Sequence, residues 1–350
     1  MRKIQNILGA GLLIIVLVLS SGQALANSGT SLSITPPTKI VTAKPNSSVN
    51  VPIKVENNGS GPIELKVTLM KFGAYGTSGK ATLYRFKPSD TYAKWVTFSK
   101  TSFIANPGVW TTDIMTINIP ASAMPSYYYA VLFTPVSSNK VSGNGATLSG
   151  SITSLILLNV VSNHEKRQLK VVSFTSNKWI YEYLPATFSV KVKNTGNTFI
   201  APMGDIYISK DKIHDIATID INPKQGNILS GSERVYQASW SNGFPVFLPK
   251  KGSNGEVITK NGQVVKQLTW NWSNLSKFRF GHYWAHLTLV YNNGTQDIQI
   301  QGNVSFWVIP WKILLVIIFL IALLAFGIYS LIRSRRRIRR LENRIKLSRH

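Results

Sequence analysis

Across residues 49–55 apolar side chains fall at every second position: Val49, Val51, Ile53 and Val55 alternate with Asn50, Pro52 and Lys54. A period of two is that of a strand with one face in a core and the other in water. After the turn-forming run Asn57-Asn58-Gly59-Ser60-Gly61-Pro62 the alternation resumes with Ile63, Leu65, Val67 and Leu69. Further strands are predicted at 81–86, 95–98, 112–119, 127–134 and 148–161. A second unit begins near Arg167. There Phe188, Val190 and Val192 alternate with polar residues and run into Asn194-Thr195-Gly196-Asn197, echoing the earlier strand and turn. Strands at 205–209, 234–240, 283–291 and 298–308 complete it. The pattern predicts an all-β chain of two tandem antiparallel sandwiches, residues 27–164 and 165–309.

The two ends break this period. Arg2 and Lys3 precede an apolar run over 7–19, and Ala24-Leu25-Ala26 supplies the small residues of a signal-peptidase site, so residues 1–26 read as a cleaved signal peptide. Residues 313–332 are almost wholly apolar and long enough to cross a bilayer. Trp307 and Trp311 stand where an interfacial belt lies, which sets the membrane segment at 310–332. Arg333, Arg335, Arg336 and Arg337 open the tail of 333–350, which holds nine Lys or Arg and one acid, Glu342. The positive-inside bias predicts a cytoplasmic tail and an ectodomain outside the cell: a single-pass membrane protein of a bacterial surface. The last predicted strand feeds the membrane segment with almost no linker, which holds the second domain close to the bilayer.

Charge and cysteine usage narrow the class. Outside the signal peptide and the tail there remain 28 Lys and Arg against 13 Asp and Glu, a net of about +15. That sign suits contact with anionic envelope polymer, and its spread without a basic run argues against nucleic acid. Cysteine is absent, so stability rests on core burial and small disulfide scaffolds are excluded. Two irregular stretches interrupt the strands. Residues 137–147, rich in Ser, Asn and Gly, read as a long loop. Residues 242–267 carry Lys250, Lys251 and Lys260 and read as a basic hairpin or insertion.

Candidate chemistry is sparse. Ser137-Ser138-Asn139-Lys140 has the Ser-x-x-Lys spacing of acyl enzymes but sits in a polar loop. His282 and His286 share one face of a strand with no third ligand beside them. Asp205, Asp211, Asp215 and Asp220 lack the spacing of a calcium loop. Leu184-Pro185-Ala186-Thr187 opens like a sortase signal, yet Phe188 stands where that signal has glycine. The reading is a non-enzyme with no catalytic, cofactor or metal residues. Aromatic positions are more informative. Tyr127, Tyr128 and Tyr129 are consecutive, and Trp270, Trp272 and Trp284 lie in a dense aromatic stretch; strand neighbours cannot all face inward, so some of these rings are candidate binding aromatics.

Several short motifs together resemble one family. Ile34-Thr35-Pro36-Pro37, the strand ending at Asn57-Asn58-Gly59, Pro107-Gly108, Tyr128-Tyr129-Ala130-Val131 and the closing Phe306-Trp307-Val308-Ile309-Pro310-Trp311-Lys312 look like the WxL-interacting protein family and related membrane-anchored bacterial surface proteins. The resemblance implies two immunoglobulin-like domains at the cell wall, the first associated with peptidoglycan binding and the second with docking partner surface proteins. No Trp-x-Leu triplet occurs in the chain, so it would be the anchored partner. The expected function is adhesion or scaffolding through envelope glycan or a surface protein. The alternative is a chaperone-like assembly factor that offers an open sheet edge to client strands.

Overall fold

The computed structural model describes residues 31–136, 150–210 and 215–347. The predicted signal peptide, the predicted loop of 137–147 with its Ser-x-x-Lys spacing, and Asp211 fall outside them. The chain folds as two tandem immunoglobulin-like β-sandwiches followed by one long C-terminal helix.

The first sandwich comprises β1 (Leu32–Thr35), β2 (Thr38–Ala43), β3 (Ser47–Asn57), β4 (Ile63–Tyr75), β5 (Lys80–Tyr84), β6 (Val96–Phe98), β7 (Ser102–Ala105), β8 (Trp110–Ile119), β9 (Ser126–Pro135) and β10 (Ile152–Val160). One sheet runs β1-β3-β8-β6 and the other β2-β10-β9-β4-β5, with β7 also on β4. The alternation read in β3 is the burial observed: Val51, Ile53 and Val55 are buried and Asn50, Pro52 and Lys54 exposed. Antiparallel pairing sets Val51 opposite Met115 and Val49 opposite Ile117, so β3 and β8 turn one apolar face to the core.

The second compact unit spans Asn159–His350, together with Gly73–Thr82 and Met124–Tyr127. Its strands are β11 (Leu169–Ser176), β12 (Ile180–Tyr181), β13 (Ala186–Asn194), β14 (Met203–Ser209), β15 (Asp215–Ile221), β16 (Glu233–Trp240), β17 (Val246–Pro249), β18 (Thr259–Lys260), β19 (Gln263–Val264), β20 (Lys266–Thr269), β21 (Gly281–Asn292) and β22 (Asp297–Val308). A sheet β11-β13-β16 faces a sheet β12-β22-β21-β14-β15. Between them Trp240, Tyr283, Phe306 and Phe188 pack ring on ring: Trp240–Tyr283 and Phe188–Phe306 centroids are 5.3 Å apart, and Tyr283 stacks on Phe306 at 5.8 Å. Edge-to-face and offset contacts of this kind add to the area these rings bury.

The echo between the two turns has a structural cause. Asn57 ends β3 and Asn194 ends β13, both fully buried. Asn57 Nδ2 donates to Gly61 O (2.7 Å) and Ala105 O (3.0 Å), and its Oδ1 accepts from Gly59 N at 2.9 Å. Asn194 repeats the set with Thr198 O (2.7 Å), Ile228 O (2.9 Å) and Gly196 N (2.9 Å). Each amide closes its own turn and ties it to a second strand or loop, giving a buried side chain partners for both its N–H group and its oxygen. Gly196 is needed for the same turn, because a Cβ there would lie 2.2 Å from Lys166 O.

The helix α1 (Trp311–Leu347) is longer than the membrane segment read from sequence. It runs unbroken through Arg333, Arg335, Arg336 and Arg337, so the start of the basic tail is a continuation of the helix. At 1.5 Å per residue it extends about 55 Å. Residues Trp311–Ile338 are long and apolar enough to cross a membrane.

Candidate functional site

The feature that stands apart is an uncovered sheet edge. In the five-stranded sheet of the second unit β22 is flanked on its outer side, among the described residues, only by β12, which pairs with just two of its twelve residues: Ile180 opposite Trp307 and Tyr181 opposite Val308. Trp307 N donates to Trp179 O and Ile309 N to Tyr181 O, both at 2.8 Å. The odd-numbered residues therefore turn their N–H and C=O groups to the outer side. Pairing with β21 runs without a register shift from Gly281–Val308 to Asn292–Asp297, so this alternation holds along the strand. Gln299, Gln301, Asn303 and Ser305 then present backbone donors and acceptors along an open edge of about 20 Å, at ~3.3 Å per residue.

The side chains along this edge are two-faced. Gln299, Gln301, Asn303 and Ser305 are exposed, whereas Ile298, Ile300 and Val304 lean on the core of the sandwich. Among the described strands the other edges carry protection that β22 lacks. β1 has four residues and β6 three. β2 and β5 carry Lys39 and Lys80, β16 begins with Glu233 and Arg234, and β15 holds Asp215 and Asp220. β11 is broken by a bulge between Val171 and Ser173. β22 from Ile298 to Ser305 has no charge, no proline and no bulge.

His286 belongs to this strand pair. Its Nδ1 is 2.8 Å from Asn303 Oδ1 and its Nε2 is 3.2 Å from Ser209 Oγ, so the ring clamps β21 between its neighbours. His282 on the same face stacks against Trp284 (4.1 Å) and Trp307 (4.7 Å). Each histidine is thus engaged by different partners.

The sequence-derived aromatics divide. Tyr129 is fully buried, with its hydroxyl donating to Tyr92 O at 3.2 Å, and so is a core ring and not a binding one. Tyr128 is half-buried 5.6 Å from Phe72, and the Tyr127 hydroxyl accepts from Met124 N at 2.7 Å. Burial pushes the Tyr127 phenol above its ordinary pKa, with the Met124 N–H opposing it. Trp284 is half-buried on β21. Trp270 and Trp272 are exposed, 5.8 Å apart, and rest on Phe244 at 5.6 and 5.2 Å. Exposed Trp179, Leu275, Phe278 and Phe280 join them on the same end of the unit. Sequence reasoning passed over Trp179, because its carbonyl bond to Trp307 is visible only in three dimensions.

Lys250, Lys251 and Lys260 are exposed on the 242–267 segment, which forms paired hairpins. β17 pairs with β20, setting Val246 opposite Thr269, and β18 pairs with β19, setting Lys260 opposite Gln263. Lys250 N donates to Val265 O at 2.8 Å, joining the two ladders. Trp307 lies exposed in β22, and Trp311 is the first residue of α1 with Lys312 Nζ 5.4 Å above its ring. Asp215 and Asp220 sit on β15 and Asp205 on β14, where Asp205 faces Asp220 across the ladder.

No protein-family model and no curated protein matches the chain. Among solved structures it is similar to the class 5 fimbriae chaperone CfaA, at 13% identity and a TM-score of 0.39 over 78% of this chain and 99% of that one. It is also similar to the YadV chaperone (14%, 0.32, 79% and 99%) and to the E. coli chaperone DraB (11%, 0.33, 78% and 98%). Likenesses this loose carry no argument about function, which rests on the geometry above.

Proposed function

We propose that this chain is a membrane-anchored, non-enzymatic surface protein that receives an extended segment of another surface protein as an added strand along β22, and so acts in that protein's assembly or retention. The observation that carries the reading is the open edge from Gln299 to Ser305, the least protected of the described edges. Strand addition gains affinity from main-chain hydrogen bonds and selectivity from alternate side-chain positions. The anchor supports it, since α1 follows β22 after two residues and would hold the edge at the membrane surface. The basic tail supports an outward-facing ectodomain. The resemblance to WxL-interacting proteins agrees with a surface-protein partner. The exposed lysines of the 242–267 hairpins favour, as a second contact, an anionic envelope polymer.

The test is genetic. Gln301→Pro removes one outward N–H without touching the ladder to β21, a position where an edge strand accepts proline. The surface proteomes of the Gln301→Pro strain and of a deletion strain are expected to lose the same proteins, with the variant itself present at wild-type level in the membrane fraction. A Gln301→Pro surface proteome equal to wild type beside a depleted deletion strain would overturn strand addition.

A further inference from the structure

The end of the second unit from which α1 departs is unusually apolar for a surface facing water. Trp311 opens the helix, and Trp307 stands four residues before it. Gly281, the first residue of β21, is paired with Val308, so Phe278 and Phe280 lie at the level where the chain leaves the sandwich. The 3-10 turn Trp272–Lys277 belongs to the same end: Phe244 N donates to Lys277 O at 3.0 Å, and the Asn271 side chain caps the turn by accepting from Ser273 N. Trp179 is held there by its carbonyl bond to Trp307 and by Tyr181, whose hydroxyl accepts from Lys178 N at 3.2 Å. Trp179 is 74% exposed and Trp272 68%, so most of each ring faces outward.

The charges interleaved with these rings are of one sign. Lys178, Lys277, Arg279 and Lys312 are basic, residues 269–283 contain no acid, and the nearby Glu182 is paired with Lys312 at 2.9 Å. Tryptophan and phenylalanine beside lysine and arginine are the composition of a membrane–water interface, and basic groups at that depth are drawn to anionic headgroups. A contiguous apolar patch of this kind on a soluble face marks an interaction site.

The geometry points to a membrane-contacting face on this end: Trp179, Trp272, Leu275, Phe278 and Phe280 rest in the headgroup region of the leaflet that α1 enters, and Lys178, Lys277 and Arg279 meet lipid phosphates. The inference rests on the reading that α1 spans a bilayer, because the helix sets that bilayer against Trp311. It adds a second attachment, which fixes the tilt of the unit and runs the open β22 edge outward from the membrane surface.

The chain contains no cysteine, so single labels are placed without a background. Full-length protein carrying one spin label at Ser276→Cys, Gln296→Cys or Ser330→Cys is reconstituted in vesicles of phosphatidylcholine with phosphatidylglycerol. Collision with oxygen and with a water-soluble nickel chelate reads depth. Ser276 sits exposed in the 3-10 turn, Gln296 lies at the far end of the β21–β22 pair, and Ser330 lies inside α1. The expected result is hydrocarbon depth at Ser330, interfacial depth at Ser276 with nickel collisions several-fold below those at Gln296, and water at Gln296. Replacing Trp272, Leu275 and Phe280 together by serine returns the Ser276 label to water while Gln296 keeps its mobility, which reports the retained fold. A label at Ser276 in water with Ser330 deep overturns the membrane-contacting face and leaves the spanning helix intact. Ser330 in water overturns the anchor itself. Equal nickel collisions at Gln296 and Ser276 overturn the proposal as non-specific adsorption.

Discussion

Asn57 and Asn194 hold corresponding turns by the same three hydrogen bonds, one in each sandwich. Alanine at either position removes the three hydrogen bonds of a buried side-chain amide, at an expected cost of about 1–3 kcal/mol. Urea unfolding of Asn57→Ala and Asn194→Ala measures this, and losses under about 0.5 kcal/mol would show that the turns do not need their amides. Tyr236 makes a second residue-level prediction. Burial raises its phenol to about 12, with Arg234 opposing weakly. The unfolded phenol ionises near 10, so the protonated form is favoured by folding, and this contribution is full below pH 10 and lost as pH rises towards 12. It amounts to about 2–3 kcal/mol. A Tyr236→Phe variant is expected to show a flatter stability profile between pH 10 and 12 than the parent; identical profiles would remove Tyr236 as the cause. The turn asparagines were legible as an Asn-x-Gly echo at the ends of two alternating strands. The hydroxyl of Tyr181, which accepts from Thr187 N and donates to Thr187 O, was not, since side-chain periodicity does not show where a hydroxyl finds its partners.

At the scale of elements, the strands legible in the sequence are those with one wet and one buried face, such as β3 and β13. Several short strands, among them β1, β2, β7 and β12, went unread because so short a run shows little alternation, whereas β5 and β6 lie where strands were predicted, at 81–86 and 95–98. β15 was read as part of an acidic cluster because Asp215 and Asp220 protect its edge with charge. The open edge itself was legible only as a possibility of the fold class, because exposure of a strand's hydrogen-bonding side leaves no mark on side-chain periodicity. Its chemistry now makes a prediction. Lysine at Gln299 and Gln301 gives β22 the charge that the other edges carry, and should abolish capture of a partner strand while the far-ultraviolet dichroism of the ectodomain stays unchanged. Undiminished capture would place the partner elsewhere.

The whole molecule couples that edge to a helix separated from its strand by two residues, Ile309 and Pro310. Protease added to intact cells is expected to digest the β-rich region and spare α1; a protected β-rich region that is lost only on lysis would reverse the orientation. A chain ending at Pro310 is expected to leave the membrane fraction. The helix and its basic flank were plain in the sequence, because twenty apolar residues followed by arginines have few other uses. The aromatic end was half legible: Trp270, Trp272, Trp307 and Trp311 were singled out, but only the pairing of Gly281 with Val308 places the 3-10 turn at the end from which α1 departs. The most direct test of the account is amide-by-amide hydrogen exchange across β22 in the full-length protein in lipid nanodiscs. It predicts fast exchange at Gln299, Gln301, Asn303 and Ser305 alternating with slow exchange at Ile298, Ile300, Gly302 and Val304, whose amides bond to β21. Uniform protection along the strand would mean that the edge is already covered, and would contradict it.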